Sequence, residues 1–377
     1  MKKVLRFAGQ AVVIAAITLA LDFTLTNFMF PGLKRALSAP GESNDRAYMA
    51  APYDHDLAPN EKSTRVWGNV LYPWQTDRFG FRTGECAPRE PEKGQENIFV
   101  IGDSFTEALG SSYEQSFTGL MACDSAREGK ALWNLGVASY SPAIYHRKIR
   151  AAAERLGIQP DEIYVFLDLS DIDDDANIYR VEGGRVVRAG RSGGHGSLSC
   201  DLGRFLTDNF MTARLLTDLC LTSSFNYVMS VGRPRARWTI DPALMESWGR
   251  RGLEVAGANL DLIVDLCREW RCRLTLVVYP WPDNIMEGDR DSIQVTHWRD
   301  WAAARNVRFI DGFAPFFRES ADTALRKYYI AGDVHFSQRG NRLLYDTVKR
   351  AIGADDGDAR SAEGARQSPI ERTIGSP

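Results

Sequence analysis

From Asn97 onward, short and wholly apolar runs alternate with stretches whose apolar positions recur every three or four residues. NIFVIG (97–102), ALWNLGV (131–137), EIYVFLDL (162–169), RLTLVVYP (273–280) and VRFID (307–311) are too short for buried helices and are rich in β-branched and aromatic residues, so they predict strands. Between them, EQSFTGLMACDSA (114–126), residues 141–157 and residues 247–270 carry a helical period, as does the stretch 291–305. Ser141 is placed as an N-cap and Gly157 as a stop, and a last helix is expected after Ser337, to about Ala351. Wholly apolar strands alternating with helices predict an α/β fold, a parallel sheet covered on both faces.

The third and fourth strands are separated by far more than one helix. Residues 180–245, with a hairpin-like YRVEGGRVVRAG (179–190) and a Gly/Ser stretch, predict an insertion large enough to act as a cap. Residues 31–65 read as a tether, 66–352 as the catalytic-type domain, and 353–377, which lack hydrophobic periodicity, as a disordered tail. Ahead of the tether, Lys2, Lys3 and Arg6 precede an apolar run that continues to Phe30, interrupted by Asp22. Residues 1–30 therefore predict a single transmembrane helix, N-terminus inside, with the domain in the periplasm. The small-residue site Ala36–Ala39 lies past Lys34 and Arg35, far from the apolar run, which favours an uncleaved anchor over a cleaved signal. Cleavage would leave the domain secreted or periplasmic.

Composition changes little in this picture. The 377 residues are 44% hydrophobic and 25% charged, ordinary for a globular protein. A net charge of −3 leaves no basic footprint for nucleic acid. The six cysteines form no zinc-type cluster, and an even number suits an exported chain. Sequence proximity pairs Cys86 with Cys123, Cys200 with Cys220 and Cys267 with Cys272; the alternative is reduced, buried thiols.

Two short motifs carry candidate chemistry. Gly102-Asp103-Ser104-Phe105 follows the first strand and opens a helix, placing Ser104 in the crevice at the carboxyl end of the sheet. Its backbone N–H there faces developing negative charge. Asp333-Val334-His335 precedes the last helix; in an extended segment, residues two apart point to one side. A serine hydroxyl needs a base and the base needs an orienter. Of the five histidines, only His335 stands beside a carboxylate in a loop opening a terminal helix. Each motif alone reads as a helix cap; at the two ends of one α/β order they predict a catalytic Ser104, His335 and Asp333.

GDSFTE, NLG (134–136) and DVHF together resemble the SGNH/GDSL hydrolase family, over roughly residues 66–352. The resemblance implies a three-layer α/β/α, flavodoxin-like fold with a five-stranded parallel sheet, and Ser104 as nucleophile. It also implies an oxyanion hole from the backbone N–H groups of Ser104 and Gly136. The family's third block carries an Asn donor where this chain has Ser170, so Ser170 is the candidate third donor. DxH in place of DxxH is similar to the branch of alginate O-acetyltransferase-like proteins, which implies an exopolysaccharide substrate in the periplasm.

Asp103, Asn134 and Trp281 are candidate substrate contacts. Asp77–Arg82 resembles a D-x-x-GFR element that precedes GDS in many bacterial members, and reads as structural more than functional. Asp171, Asp173 and Asp175 alternate as cation ligands do, but the run reads as a capping loop; no metal or other cofactor is expected. The functional expectation is a hydrolase acting on acyl, chiefly acetyl, esters of a cell-surface carbohydrate or of a small molecule. The alternatives are a polysaccharide O-acetyltransferase with the same triad, or a non-catalytic polysaccharide-binding module. The expected partners are the acylated carbohydrate, the membrane through the N-terminal helix, and polysaccharide-assembly proteins.

Overall fold

The computed structural model describes residues 2–29, 47–67, 70–188, 209–212 and 233–366. Its centre is a five-stranded sheet of β5 (Asn97–Gly102), β6 (Ala131–Asn134), β7 (Glu162–Leu167), β10 (Arg273–Val278) and β11 (Arg308–Asp311), in the order β11-β10-β7-β5-β6 and parallel throughout. Every residue of β5, β6 and β7 is buried, which is why these strands read as unbroken apolar runs. The chain steps from β5 outward to β6, then back across β5 to β7, so the order reverses between β5 and β7. Right-handed crossovers put the helix between β5 and β6 on one face and those between β6, β7, β10 and β11 on the other. On one face lie α4 (Pro142–Leu156), α5 (Arg250–Trp270) and α7 (Ile293–Arg305); on the other lie α3 (Phe117–Arg127) and α9 (Gln338–Arg366). The crevice at the reversal opens at the carboxyl ends of β5 and β7, where open sheets of this kind bind ligands.

The expected helix 141–157 is present, ended by Gly157 in the left-handed region at φ 68°. Its N-terminus is capped differently from expectation: Asp175, not Ser141, accepts from Ala143 N at 3.1 Å, and Ser141 Oγ donates to the same carboxylate. Asp175 is therefore a cap, and Asp173 accepts from Asn177, so the alternating aspartates do not converge.

The tether expected over 31–65 is folded from Ala47 onward. β1 (Tyr48–Ala51) pairs with β2 (Asp54–Leu57), and β3 (Lys62–Trp67) with β4 (Val70–Gln75), both antiparallel. These hairpins are pinned to the core by a buried ion pair, Lys148 with Asp56, each 1% exposed as a residue. Tyr53 donates to the same carboxylate at 2.6 Å and Arg155 approaches at 3.2 Å. Asp56→Ala strands the Lys148 ammonium and is expected to destabilise the fold by about 3–5 kcal/mol. An unchanged denaturation midpoint in Asp56→Ala would show that the hairpins are not integral. The sequence pattern hid them because their strands are half-exposed and short.

At the N-terminus, α1 runs Lys2–Thr24, but no helix among the described residues is long and apolar enough to cross a membrane. Asp22 interrupts the apolar run for a specific purpose. It is buried and accepts from the backbone N–H groups of Met211 (3.1 Å) and Thr212 (3.2 Å), with Thr26 beside it. The expected insertion begins with the hairpin of β8 (Tyr179–Glu182) and β9 (Arg185–Arg188); most of 189–232 lies outside the described residues. The last helix runs to Arg366, beyond the end expected near Ala351 and into the expected tail. Cys86–Cys123 and Cys267–Cys272 are disulfide-bonded; Cys200 and Cys220 fall outside the described residues. Closing the longer loop stabilises the fold by about 4 kcal/mol on chain-entropy grounds.

Candidate active site

Ser104 opens α2 (Ser104–Glu107), a single turn set directly on the end of β5. Gly102 is required at the junction: a Cβ there would lie 2.1 Å from Thr106 Oγ1 and 2.8 Å from the carbonyl of Phe166. Asp103 caps the turn by accepting from Phe105 N at 3.0 Å, and its other oxygen accepts from Ser104 Oγ at 3.0 Å. The N–H of Ser104, first in the turn, has no acceptor of its own among the described residues.

His335 arrives from the loop before α9, its Nε2 2.9 Å from Ser104 Oγ. Asp333 Oδ1 accepts from the backbone N–H of His335 at 2.8 Å and from its ring Nδ1 in a short hydrogen bond. The segment is bent rather than extended, so the two side chains do not face Ser104 together as expected. Asp333 instead folds behind the imidazole, and one carboxylate oxygen fixes both the turn and the ring. That closed arrangement is what a two-residue spacing permits. Phe105 packs against the ring with centroids 4.7 Å apart.

Burial disfavours the imidazolium, but the Asp333 carboxylate, with Asp103 and Asp168 beyond it, outweighs burial and raises the pKa of His335. Burial likewise opposes ionisation of Asp333, yet His335 and the hydrogen bonds to it hold that carboxyl below its usual range. The indole N–H of Trp67, from β3, points at this pair, 3.1 Å from Nδ1, and stabilises the Asp333 carboxylate.

The other expected oxyanion donors are engaged within the protein. Gly136 N donates to Asn134 Oδ1 at 3.0 Å, and Ser170 donates to Asp168 Oδ1 through both N (2.7 Å) and Oγ (2.5 Å). Gly136 is glycine for packing: a Cβ would meet Thr106 Cγ2 at 2.5 Å. Of the three donors, only Ser104 N is open. Ser170→Ala is accordingly expected to change kcat less than about tenfold, whereas loss of a true oxyanion donor costs about 10²–10³. Steady-state kinetics on a single ester decides between these values.

The candidate substrate contacts are also built in. Asn134 donates to Thr106 O (2.8 Å), and Trp281 donates to Asp168 Oδ2 (2.7 Å) from a buried position. Asp103 belongs to a cluster with Asp168 and Asp171, one oxygen of each lying within 4.8 Å of the others. Each carboxyl has protein donors, such as Tyr145 OH to Asp171 at 2.5 Å and Asp168 N to the same oxygen at 2.9 Å. Burial, and then the Asp168 charge, push the Asp103 carboxyl up to about 8. Burial, Asp103 and Asp168 also raise Asp171 well above the carboxylate range.

This has a consequence for Ser104. An ionised Asp103 accepts the Ser104 proton across the 3.0 Å contact and competes with His335 for it; a protonated Asp103 would reverse that hydrogen bond, donating to Ser104 Oγ and leaving the serine proton for His335. Activity is therefore expected to fall on the alkaline side as Asp103 ionises, well above the usual carboxylate range. Asp103→Asn keeps the cap and should abolish that alkaline fall in a pH–kcat profile. The same fall in the variant would assign it elsewhere.

Three residues at the site escaped the sequence reading. Trp67 was one of several scattered tryptophans, and only the folded hairpin brings it to His335. Asp168 sits behind Ser170 and Trp281. Glu107, the last letter of GDSFTE, is fully buried and accepts from Tyr48 OH (3.0 Å), Trp74 Nε1 (3.1 Å) and Ala138 N (2.8 Å). An acidic residue ending a motif turn is the one signal that was available.

No protein-family model matches the chain, and no curated protein sequence is similar to it. Solved structures give distant likenesses. A member of the lipolytic protein G-D-S-L family from Veillonella parvula is 16% identical over 68% of this chain and 97% of its own, with a TM-score of 0.38. The esterase EstA from Pseudoalteromonas sp. is 13% identical over 69% and 98%, at 0.38. A GDSL-like lipase from Bacteroides thetaiotaomicron is 10% identical over 71% and 92%, at 0.37.

Proposed function

We propose that this protein is a serine hydrolase of the SGNH/GDSL type acting on acyl esters, with acetyl esters of a cell-surface carbohydrate as the substrate class. The observation that carries the reading is the chain of contacts from Ser104 Oγ to His335 Nε2 at 2.9 Å and from His335 Nδ1 to Asp333. Ser104 Oγ attacks the acyl carbonyl carbon while its proton passes to Nε2. The carbon–alcohol bond then breaks, and Nε2 returns the proton to the departing alkoxide. Water repeats the sequence on the acyl-enzyme, giving the carboxylic acid and free Ser104. Asp333 holds Nδ1–H and so keeps Nε2 the acceptor for the serine proton. The N–H of Ser104 supports the oxyanion.

A sugar hydroxyl in place of water would make the same enzyme an O-acyltransferase. The branch resemblance carried by the DxH spacing favours that variant. The engagement of Gly136 N and Ser170 favours a third reading, a non-catalytic polysaccharide-binding module. One experiment separates them: the ester content of surface polysaccharide in wild-type and Ser104→Ala cells. A rise in the variant marks an esterase, a fall marks a transferase, and no change contradicts both.

The reading includes export to the periplasm, with the domain held at the membrane by α1. It is supported by the basic residues ahead of the apolar helix and by the two disulfides, which suit an oxidising compartment. Membrane pelleting that persists after deletion of residues 1–30 would contradict the anchor.

A further inference from the structure

Beside the triad, a cavity of 410 Å³ lies between the β3–β4 hairpin and the loops that follow β5 and β6. None of the sequence motifs pointed to it. Trp67 forms part of its wall, and the same indole reaches His335. Leu109, five residues after Ser104, and Ala138, two after Gly136, form the side toward the sheet. The cavity therefore lies at the carboxyl ends of β5 and β6, next to the crevice between β5 and β7.

Its chemistry is aromatic and polar, with charges balanced inside the wall. Tyr48, Trp67 and Tyr72 supply rings. Arg65 is 2% exposed, lies 3.7 Å from Glu107 through Nη1, and carries two further buried N–H groups, Nε and Nη2, without a protein acceptor. A buried donor left unmatched costs about 1–3 kcal/mol. Arg188 binds Asp54 through Nη2 at 2.8 Å and Nε at 2.9 Å, and Asp54 also accepts from His55 at 2.6 Å. Each arginine thus has its carboxylate. No net charge is left to select a phosphate or a polyanion. Aromatic faces interleaved with hydrogen-bonding groups suit a neutral, polyhydroxylated ring. Every element that closes the cavity over the sheet (β1–β2, β3–β4 and β9) lies outside the five-stranded core, so these additions share one site.

We infer that this cavity binds the sugar ring of the substrate, with Trp67 as the wall shared by the ring and the triad. This rests on the hydrolase reading for its link to Ser104, while the binding itself is independent of turnover. The bound ring would be the alcohol portion of the ester, or the acceptor if the acyl group is transferred.

The test uses two positions outside the triad whose side chains are open to solvent: Val66, 40% exposed on β3, and Arg188, 58% exposed as a side chain. Val66→Trp adds bulk at the exposed rim of the cavity and Arg188→Ala strips one polar wall; thermal melts check that both fold. Kinetics are measured on p-nitrophenyl acetate and on partially acetylated xylo-, manno- and gluco-tetraoses. The expected result is a loss of kcat/KM, carried by KM, at least tenfold larger on one acetylated tetraose than on p-nitrophenyl acetate. Equal losses on both substrate types, or no loss on either, would overturn the assignment. Calorimetric titration of Ser104→Ala with the deacetylated tetraoses keeps the two readings apart. If wild type cleaves no ester yet a tetraose binds and Val66→Trp abolishes binding, the hydrolase reading fails and the cavity assignment stands. If no tetraose binds, the cavity assignment fails whatever the kinetics.

Discussion

Ser104→Ala is expected to reduce kcat on p-nitrophenyl acetate by about a million-fold. The size follows from how the triad works as a unit. Without Oγ no acyl-enzyme forms, and the His335–Asp333 pair has no proton to take. What survives is binding and the Ser104 N–H, which the substitution leaves in place because α2 keeps its Asp103 cap. Since the hydroxyl is lost from a half-buried position, the fold should retain its stability. A variant that melts as wild type does and still turns over ester would remove Ser104 from the chemistry.

The second large effect is expected at Asp333. In Asp333→Asn the amide oxygen can still accept the His335 backbone N–H and preserve the turn. The same oxygen faces Nδ1, so Nδ1–H keeps an acceptor, but a neutral one. The imidazolium formed as Nε2 takes the serine proton loses the carboxylate charge beside it, and kcat is expected to fall by up to about 10⁴. The pH profile gives an independent readout. In wild type the Asp333 charge raises the His335 pKa, so activity climbs with pH only after an unusually high acid limb. Removing the charge should move that limb to lower pH even as the plateau drops. An acid limb unmoved in Asp333→Asn would mean that another group sets it. The stability linked to His335 has the opposite direction in pH. It is complete below the pKa of the unfolded imidazole, about 6.5, and fades as pH rises through the elevated folded value.

The contrast between what the sequence makes legible and what it hides follows from local versus long-range causes. Strands buried on both faces leave an unbroken apolar signature, so Asn97–Gly102 is placed to the residue and the run 162–169 overshoots Glu162–Leu167 by only two. A serine at a strand–helix junction and a histidine before a terminal helix are also local patterns, and the doubly wound order alone brings them together. The hairpins over 48–75 have short, half-exposed strands with no such signature; their place is fixed by contacts distant in sequence, such as Asp56 with Lys148 and Tyr48 with Glu107. Trp67 could not be read from its neighbours for the same reason. The oxyanion donors illustrate a different limit. Motif position placed Gly136 and Ser170 near the site, but whether an N–H is free depends on the side chains beside it, and Asn134 and Asp168 occupy both. Asp22 looked like a flaw in a membrane span, and its use emerges only from the backbone N–H groups of Met211 and Thr212.

The central claim is that Ser104 is a nucleophile activated by His335. Incubation of the full chain with a fluorophosphonate, followed by peptide mass spectrometry, tests it most directly. The account predicts one phosphonylated serine, Ser104, with labelling lost in His335→Ala. A label on any other serine, or an unlabelled Ser104 in folded protein, would contradict it.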